Sequence, residues 1–231
     1  MTEEASKTKK LRDEQFYAQY LVGRVIDIGC GNDLVVPHAE PFDRPDGDAQ
    51  NILKSRLTGS YDCVHSSHCL EHMADVPSAL KQWWALLKPG GYLVMVVPDE
   101  DMYEQGVFPS VFNDDHKATF RLDKENSWSD CSHDIRKIVS VLEQAEVISI
   151  EKQDTGYDYS MIRAGFGRWG RELHRINHRI QKRMRRYNFT SEKRERFLNR
   201  WFFKLGAPVD QTFGPALAQI QVVVRKQVKP E

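Results

Sequence analysis

A chain of 231 residues with 33 acidic and 33 basic side chains has room for one α/β domain with a substantial core, and its net charge of zero points to no partner. Its 40% hydrophobic and 29% charged content is that of a globular domain and excludes a disordered or collagenous chain. No apolar run approaches the roughly 18 residues needed to span a bilayer. Residues 1–10 are polar and lack the apolar core of a signal peptide, and the four cysteines (Cys30, Cys63, Cys69, Cys131) show no CxxC spacing. Reduced thiols, a cytoplasmic location and no zinc framework are therefore expected.

In chain order, Leu11, Phe16, Tyr17, Tyr20 and Leu21 form a loose apolar stripe, giving an N-terminal helix within 1–22. The apolar run 24–28, broken at Gly29, predicts a buried strand, and a brief second strand should end near Phe42 and Asp43. Residues 61–67 read as another strand. Asp75 then caps a helix whose apolar positions Val76, Leu80, Trp83, Trp84 and Leu87 fall at helical spacing. Lys88-Pro-Gly-Gly91 stops it, and the continuous apolar run 92–97 predicts a strand covered on both faces. A helix over 134–144, a strand over 147–151 and a last strand over 218–225 complete a largely parallel sheet with helices on both faces.

One segment stands apart. Residues 161–205 hold fourteen Lys/Arg against three Glu, a net of +11 that leaves −11 for the rest of the neutral chain. Ile162, Phe166, Trp169, Leu173, Ile176, Ile180, Met184 and Tyr187 recur at steps of three and four, one apolar stripe opposite an arginine-rich face. Asn188-Phe-Thr-Ser191 breaks the pattern, and Phe197, Leu198, Trp201, Phe202 and Leu205 mark a second helix. The expectation is one domain over 1–231 with a basic helical hairpin over 157–208 inserted between the last two strands.

The chemistry-bearing segment is Asp27-Ile-Gly-Cys-Gly31, a glycine turn directly after a strand. Glycine lets backbone approach a ligand closely, and the turn offers amide N–H groups beyond the strand end, where open α/β sheets bind ligands. Asp43, after the second strand, is placed to meet ribose hydroxyls. A nicotinamide site is disfavoured because G-x-G-x-x-G would need glycine where Leu34 stands.

These residues resemble the first motif of class I S-adenosylmethionine-dependent methyltransferases, in particular the methyltransferase type 11 group with its D-x-G-C-G signature. The likeness continues through Asp46-Gly-Asp-Ala-Gln50, Tyr61-Asp-Cys-Val-His-Ser-Ser-His-Cys-Leu-Glu-His72 and Leu87-Lys-Pro-Gly-Gly-Tyr-Leu93. It covers about residues 15–155 and 210–227. The resemblance implies a Rossmann-like sheet of seven strands with the last antiparallel, and S-adenosylmethionine as cofactor. It implies that Asp27, Gly29, Cys30 and Gly31 cradle the methionine end, with Ser66 and Ser67 against it. Asp43 would take the ribose, and Asp48 and Ala49 would face the adenine. Two departures mark a modified site. Asp33 stands where a third glycine is common, and only twelve positions separate Gly31 from Asp43, against roughly 20 for a full strand–helix–strand spacing.

A hydroxyl acceptor needs a base, and imidazole suits it with an ordinary pKa of about 6.5. The candidates are His116, in Asn113-Asp-Asp-His116, then His72, His68 and Asp99. Asp99-Glu-Asp101 also offers oxygen ligands of the kind divalent cations take, although a solvated loop is the plainer reading and no metal is assigned. The segments Val97-Pro-Asp-Glu-Asp-Met-Tyr-Glu104, Ser127-Trp-Ser129 and Asp210-Gln-Thr-Phe-Gly214 resemble type 11 proteins associated with bacterial glycan genes, implying O-methylation of a sugar hydroxyl. Two alternatives stay open: a tRNA or other nucleic-acid methyltransferase using the basic hairpin, and a catalytically inactive cofactor-binding partner subunit. The hairpin's apolar stripe favours a homodimer contact or the inner face of a membrane over nucleic acid.

Overall fold

A computed structural model describes residues 4–189 and 191–228. Residues 1–3 of the polar N-terminal run and Thr190 of the break between the basic helices lie outside them.

Two short helices open the chain, α1 (Glu4–Lys9) and α2 (Glu14–Tyr20). The single N-terminal helix expected from the apolar stripe is interrupted because Asp13 caps α2, its Oδ1 accepting the Phe16 N–H at 2.8 Å. The main sheet has the order β2–β1–β3–β4–β8–β7. Its members are β1 (Val25–Ile28), β2 (Glu40–Phe42), β3 (Tyr61–Ser67), β4 (Leu87–Pro98), β7 (Ala145–Gln153) and β8 (Gln219–Lys226). β1 to β4 pair in parallel, and β8 runs antiparallel to both β4 and β7.

Among the described residues the sheet therefore has six strands rather than seven. No strand forms between β2 and β3, because residues 43–60 lack an apolar run of strand length. Asp48 instead caps a 3₁₀ turn, Ala49–Lys54, by accepting the Gln50 N–H. The crossover between β1 and β2 contains no helix, which accounts for the short Gly31-to-Asp43 spacing. Outside the main sheet, β5 (Thr119–Arg121) and β6 (Ser132–Asp134) form a two-stranded parallel ribbon, unsuspected because three residues show no periodicity.

The pleat separates two cores. Ile26, Ile28, Val64, Leu93, Met95, Val97, Ile220, Val222 and Val224 face α3 (Val76–Ala85) and α4 (Ile135–Ser140). Val25, Cys63, Val94 and Val223 face Leu21, the ring pair Phe16 and Tyr20 on α2, and Val35 and Val36 of the loop after β1. Each large apolar side chain so buried contributes about 1.5–3 kcal/mol. Trp83 also ties layers together, its indole N–H donating to the Ala49 carbonyl at 2.9 Å.

Between β7 and β8 stand α5 (Arg168–Arg186) and α6 (Glu192–Lys204). Their packed face is not the apolar stripe read from sequence. α5 buries Gly170, Leu173, His174, Asn177 and Gln181, while Trp169 and Tyr187 are 71% and 73% exposed. The reason is polar pairing across the hairpin. Asn177 and Gln181 both donate to Asn199 Oδ1, at 3.0 and 2.5 Å, and Arg185 grips Glu195 with two bonds of 2.8 Å. The aromatic residues are left outside.

Candidate active site

The C-terminal ends of β1, β2 and β3 open onto a cleft of about 760 Å³, within the range of pockets that hold drug-sized molecules. Of the residues singled out from sequence, Gly29, Asp43, Asp48, Ala49, His68 and His72 line it, joined by Arg44, Gln50, Cys69, Asp115 and Lys117.

Local interactions fix its walls. Gly29 has φ +75°, and a Cβ added there would fall 2.6 Å from Cys69 Cβ. Only glycine brings the β1 turn this close to the turn after β3. The Gly29 N–H donates to the Phe42 carbonyl and the Gly31 N–H to Asp43 Oδ2, both at 2.8 Å, locking the glycine turn to the end of β2. The floor is held from α3. Gln50 exchanges two bonds of 3.0 Å with the Asp75 backbone, and Gln82 donates to the Gln50 carbonyl at 2.9 Å. The hydrogen bonds from Asn51 and the Gln50 N–H hold the Asp48 carboxyl below its ordinary pKa, so an anion stands at this wall.

Other sequence candidates lie behind the wall. Asp27 is 2% exposed and does not line the cleft. Its Oδ2 accepts the Val35 N–H at 2.7 Å, and its Oδ1 lies 2.6 Å from His65 Nδ1. His65 Nε2 in turn meets Arg12, whose Nε donates to Gln221 at 2.8 Å. Burial pushes the Arg12 guanidinium down to about 10 and the His65 imidazole below its ordinary value. Asp27 thus anchors the turn 29–36. Asp33, in the position of the absent third glycine, accepts from Ser6 and Lys9 and so ties α1 to that turn.

Cys30 is buried, Ser66 Oγ donates to the Ile28 carbonyl at 3.1 Å, and Ser67 Oγ is buried with no hydrogen-bond partner among the described residues. Asp99 stays away from the cleft. It caps the turn Glu100–Glu104 and pairs with Lys152 at 3.2 Å. Burial raises the Asp99 carboxyl, while Glu100 and Asp101 are occupied by Lys124, Thr119, Ser127, Ser132 and Trp128. This acidic run is a structural clasp for the β5–β6 ribbon.

The histidines converge. His68 and His72 line the cleft, and His116 is buried behind them with its ring 5.0 Å from that of His72. His116 arrives because the Lys117 and Ala118 N–H groups both donate to the Glu71 carbonyl, at 2.8 and 3.1 Å. His116 Nδ1 lies 2.7 Å from Glu104 Oε1, and His72 Nδ1 lies 3.1 Å from the Asp115 carbonyl. Glu71, Glu104 and Asp115 all stood inside motifs read from the sequence, without a role of their own. Their residue types were visible, but their proximity was not.

The residues present fit S-adenosylmethionine. Backbone at Gly29 is open where a Cβ would collide, Ser67 Oγ is an unmet polar atom at the end of β3, and Asp43 and Asp48 supply acceptors for hydroxyl and amino groups.

Comparisons with known proteins agree. A family described as "Methyltransferase domain" matches residues 3–145. Among curated protein sequences none matches. A solved structure described as a methyltransferase from Bacillus halodurans shares 12% identity over 97% of this chain and all of its own, with a TM-score of 0.53. YcgJ from Bacillus subtilis shares 14% over 97% of this chain and 98% of its own, with a TM-score of 0.50. Phosphoethanolamine N-methyltransferase 2 of Haemonchus contortus, solved with S-adenosylhomocysteine and phosphomonomethylethanolamine, shares 14% over 96% of this chain, with a TM-score of 0.51. The chain spans only 53% of that nematode enzyme. These likenesses establish the fold. With the family match over more than half its length, the chain belongs to the class I S-adenosylmethionine-dependent methyltransferases.

Proposed function

We propose that this methyltransferase O-methylates a sugar hydroxyl in glycan assembly, working in the cytoplasm at the inner face of a membrane. The observation that carries the hydroxyl acceptor is the imidazole–carboxylate cluster at the inner edge of the cofactor cleft. His68 and His72 line the cleft, and His116, Glu71 and Glu104 back them. An amine acceptor is nucleophilic without help once neutral. A hydroxyl must be made to release its proton, and this cluster is where the chain concentrates groups able to do that. S-adenosylmethionine, when bound, supplies a methyl group on a sulfonium, which leaves as a neutral thioether. The protein's share is alignment: Gly29 and Asp43 hold the cofactor side, and the histidine wall holds the acceptor side.

The membrane location draws support from the hairpin. Trp169, Tyr187, Phe189, Phe197 and Trp201 are all at least half exposed on the hairpin, which carries net positive charge. That combination suits adsorption to an anionic lipid surface. No helix among the described residues is long and apolar enough to cross a membrane. Sedimentation with anionic vesicles that weakens as salt rises is the expected behaviour. Equal recovery with neutral vesicles would contradict it.

The acceptor is tested by incubating the full chain with S-adenosylmethionine and a panel of sugar nucleotides and oligosaccharides, reading methylated product by mass spectrometry. A methyl ether on a sugar is expected, with His72→Ala lowering turnover about a hundredfold or more while S-adenosylhomocysteine still raises the melting temperature. Transfer to an amine or to RNA, with none to sugars, would overturn the acceptor class.

A further inference from the structure

Glu71 presents a problem in electrostatics. Its side chain is fully buried, and neither carboxylate oxygen has a hydrogen-bond donor among the described residues. The nearest partners are ring nitrogens, His68 Nδ1 at 3.5 Å and His116 Nε2 at 3.9 Å from Oε1. Both contacts are longer than a good hydrogen bond. Glu104, 2% exposed, is a second buried carboxylate nearby, and its Oε2 also lacks a donor. Burying an ionised carboxylate costs several kcal/mol unless an opposite charge offsets it. Among the described residues no Lys or Arg pairs with either one.

The orientation of His116 sharpens the point. The 2.7 Å contact between its Nδ1 and Glu104 Oε1 fixes the ring so that Nε2 is turned toward the Glu71 oxygen. A carboxylate behind one ring nitrogen and a lone pair on the other is the arrangement by which proteins orient metal-binding histidines. His72 completes the set. One ligand atom each from Glu71, His72 and His116 lies within 4.8 Å of the other two.

We propose that Glu71, His72 and His116 bind a divalent transition-metal ion of the zinc class, with Glu104 orienting His116. Two imidazoles and one carboxylate make a donor set that zinc, cobalt and iron accept, whereas magnesium and calcium favour oxygen alone. Ligand atoms around such an ion stand about 3.4 Å apart, given bonds of about 2.0–2.2 Å, so a small closing of the cluster suffices. Three protein ligands leave a coordination position open, and His72 lines the cofactor cleft. Resting on the hydroxyl-acceptor reading above, that position takes the acceptor oxygen and lowers its pKa, so the hydroxyl proton leaves to water in the open cleft, the oxygen bonds the methyl carbon and the C–S bond breaks to release the neutral thioether.

The test uses the full chain, stripped with chelator and desalted, then titrated with Co(II) and followed by visible absorption. Zn(II) content is measured separately after gel filtration. One Co(II) or Zn(II) per chain is expected, with the strong visible bands of a low-coordinate cobalt site. Glu71→Gln and His116→Gln should each weaken binding more than tenfold, and Glu104→Gln by about 10–100-fold. S-adenosylhomocysteine should still raise the melting temperature of the metal-free protein and of folded variants, which separates failure of the metal site from failure of cofactor binding. Negligible metal in the wild type, or equal metal in wild type and folded Glu71→Gln, would overturn the site. Stoichiometric metal with undiminished sugar methylation in excess chelator would overturn its role, and stoichiometric metal without sugar methylation would overturn the acceptor reading alone.

Discussion

Replacing Asp27 by alanine separates two accounts of the glycine motif. If Asp27 touched cofactor, its loss would abolish S-adenosylhomocysteine binding and leave the fold intact. The structure gives it another task, with Oδ2 on the Val35 N–H and Oδ1 on His65, neither of which lines the cleft. A hydrogen bond to a charged group contributes about 1.5–3 kcal/mol. Two are lost, while the burial cost of one carboxylate is relieved, so a net loss near 3 kcal/mol follows from the same range. For a chain of this size each kcal/mol moves the melting temperature by about 2–4 °C, giving a drop of about 6–12 °C. Differential scanning calorimetry reads the drop, and titration well below the melting point reads residual ligand binding. Asp27→Asn, which keeps the volume and one acceptor, should fall between wild type and alanine. An unchanged melting temperature with abolished ligand binding would refute the structural role.

Gly29→Ala should be costly in both stability and ligand affinity. The positive φ adds about 1–2 kcal/mol, and displacing Cys69 from 2.6 Å adds about 1–3 more. Chemical denaturation with a loss under about 1 kcal/mol would contradict the close approach. His65 gives a pH prediction. Burial, opposed by Asp27 and reinforced by the charges of Arg12 and Lys9, holds its folded pKa below the ordinary 6.5. The unfolded chain therefore binds the proton first, so stability falls as pH drops below about 6.5 until the folded pKa is passed. His65→Asn should flatten the stability profile in that window, and an unchanged slope would count against it. In the hairpin, Asn199→Ala strips the acceptor shared by Asn177 and Gln181 and should cost about 1–3 kcal/mol, visible as early loss of helicity on heating. Indifference to the change would mean that the polar seam does not hold the helices.

The parts of the fold legible in the sequence are those where residue pattern and tertiary environment agree. β3, β4 and β8 are buried on both faces, so their apolar runs announce them, and α3 carries a cap and an apolar stripe, although it ends at Ala85 and Lys88-Pro-Gly-Gly91 lies inside β4 instead of stopping the helix. Where a local device overrides the pattern, the reading slips. Asp13 splits the N-terminal helix, and Asp48 turns the chain into a 3₁₀ turn where the family would place a strand. On α5 the rule that apolar residues face inward fails, because Asn177, Gln181 and Asn199 satisfy one another inside the hairpin and Trp169, Ile176 and Tyr187 face out. The cleft divides in the same way. Gly29, Asp43, Asp48 and Ala49 were legible because a local turn places them at strand ends. Glu71, Glu104 and His116 are separated by 12–45 positions and meet only because backbone bonds dock residues 117 and 118 on Glu71, which no spacing rule encodes.

The central claim, that the cleft beside Gly29 and Asp43 is an S-adenosylmethionine site, is tested most directly by calorimetric titration of the full chain with S-adenosylhomocysteine. One site per chain is predicted, and ligand at a hundred times its Kd should add about 2.7 kcal/mol of stability. That corresponds to about 5–10 °C in melting temperature for a protein of this size, a gain that Gly29→Ala should erase. No heat and no shift at millimolar ligand in well-folded protein would contradict the assignment.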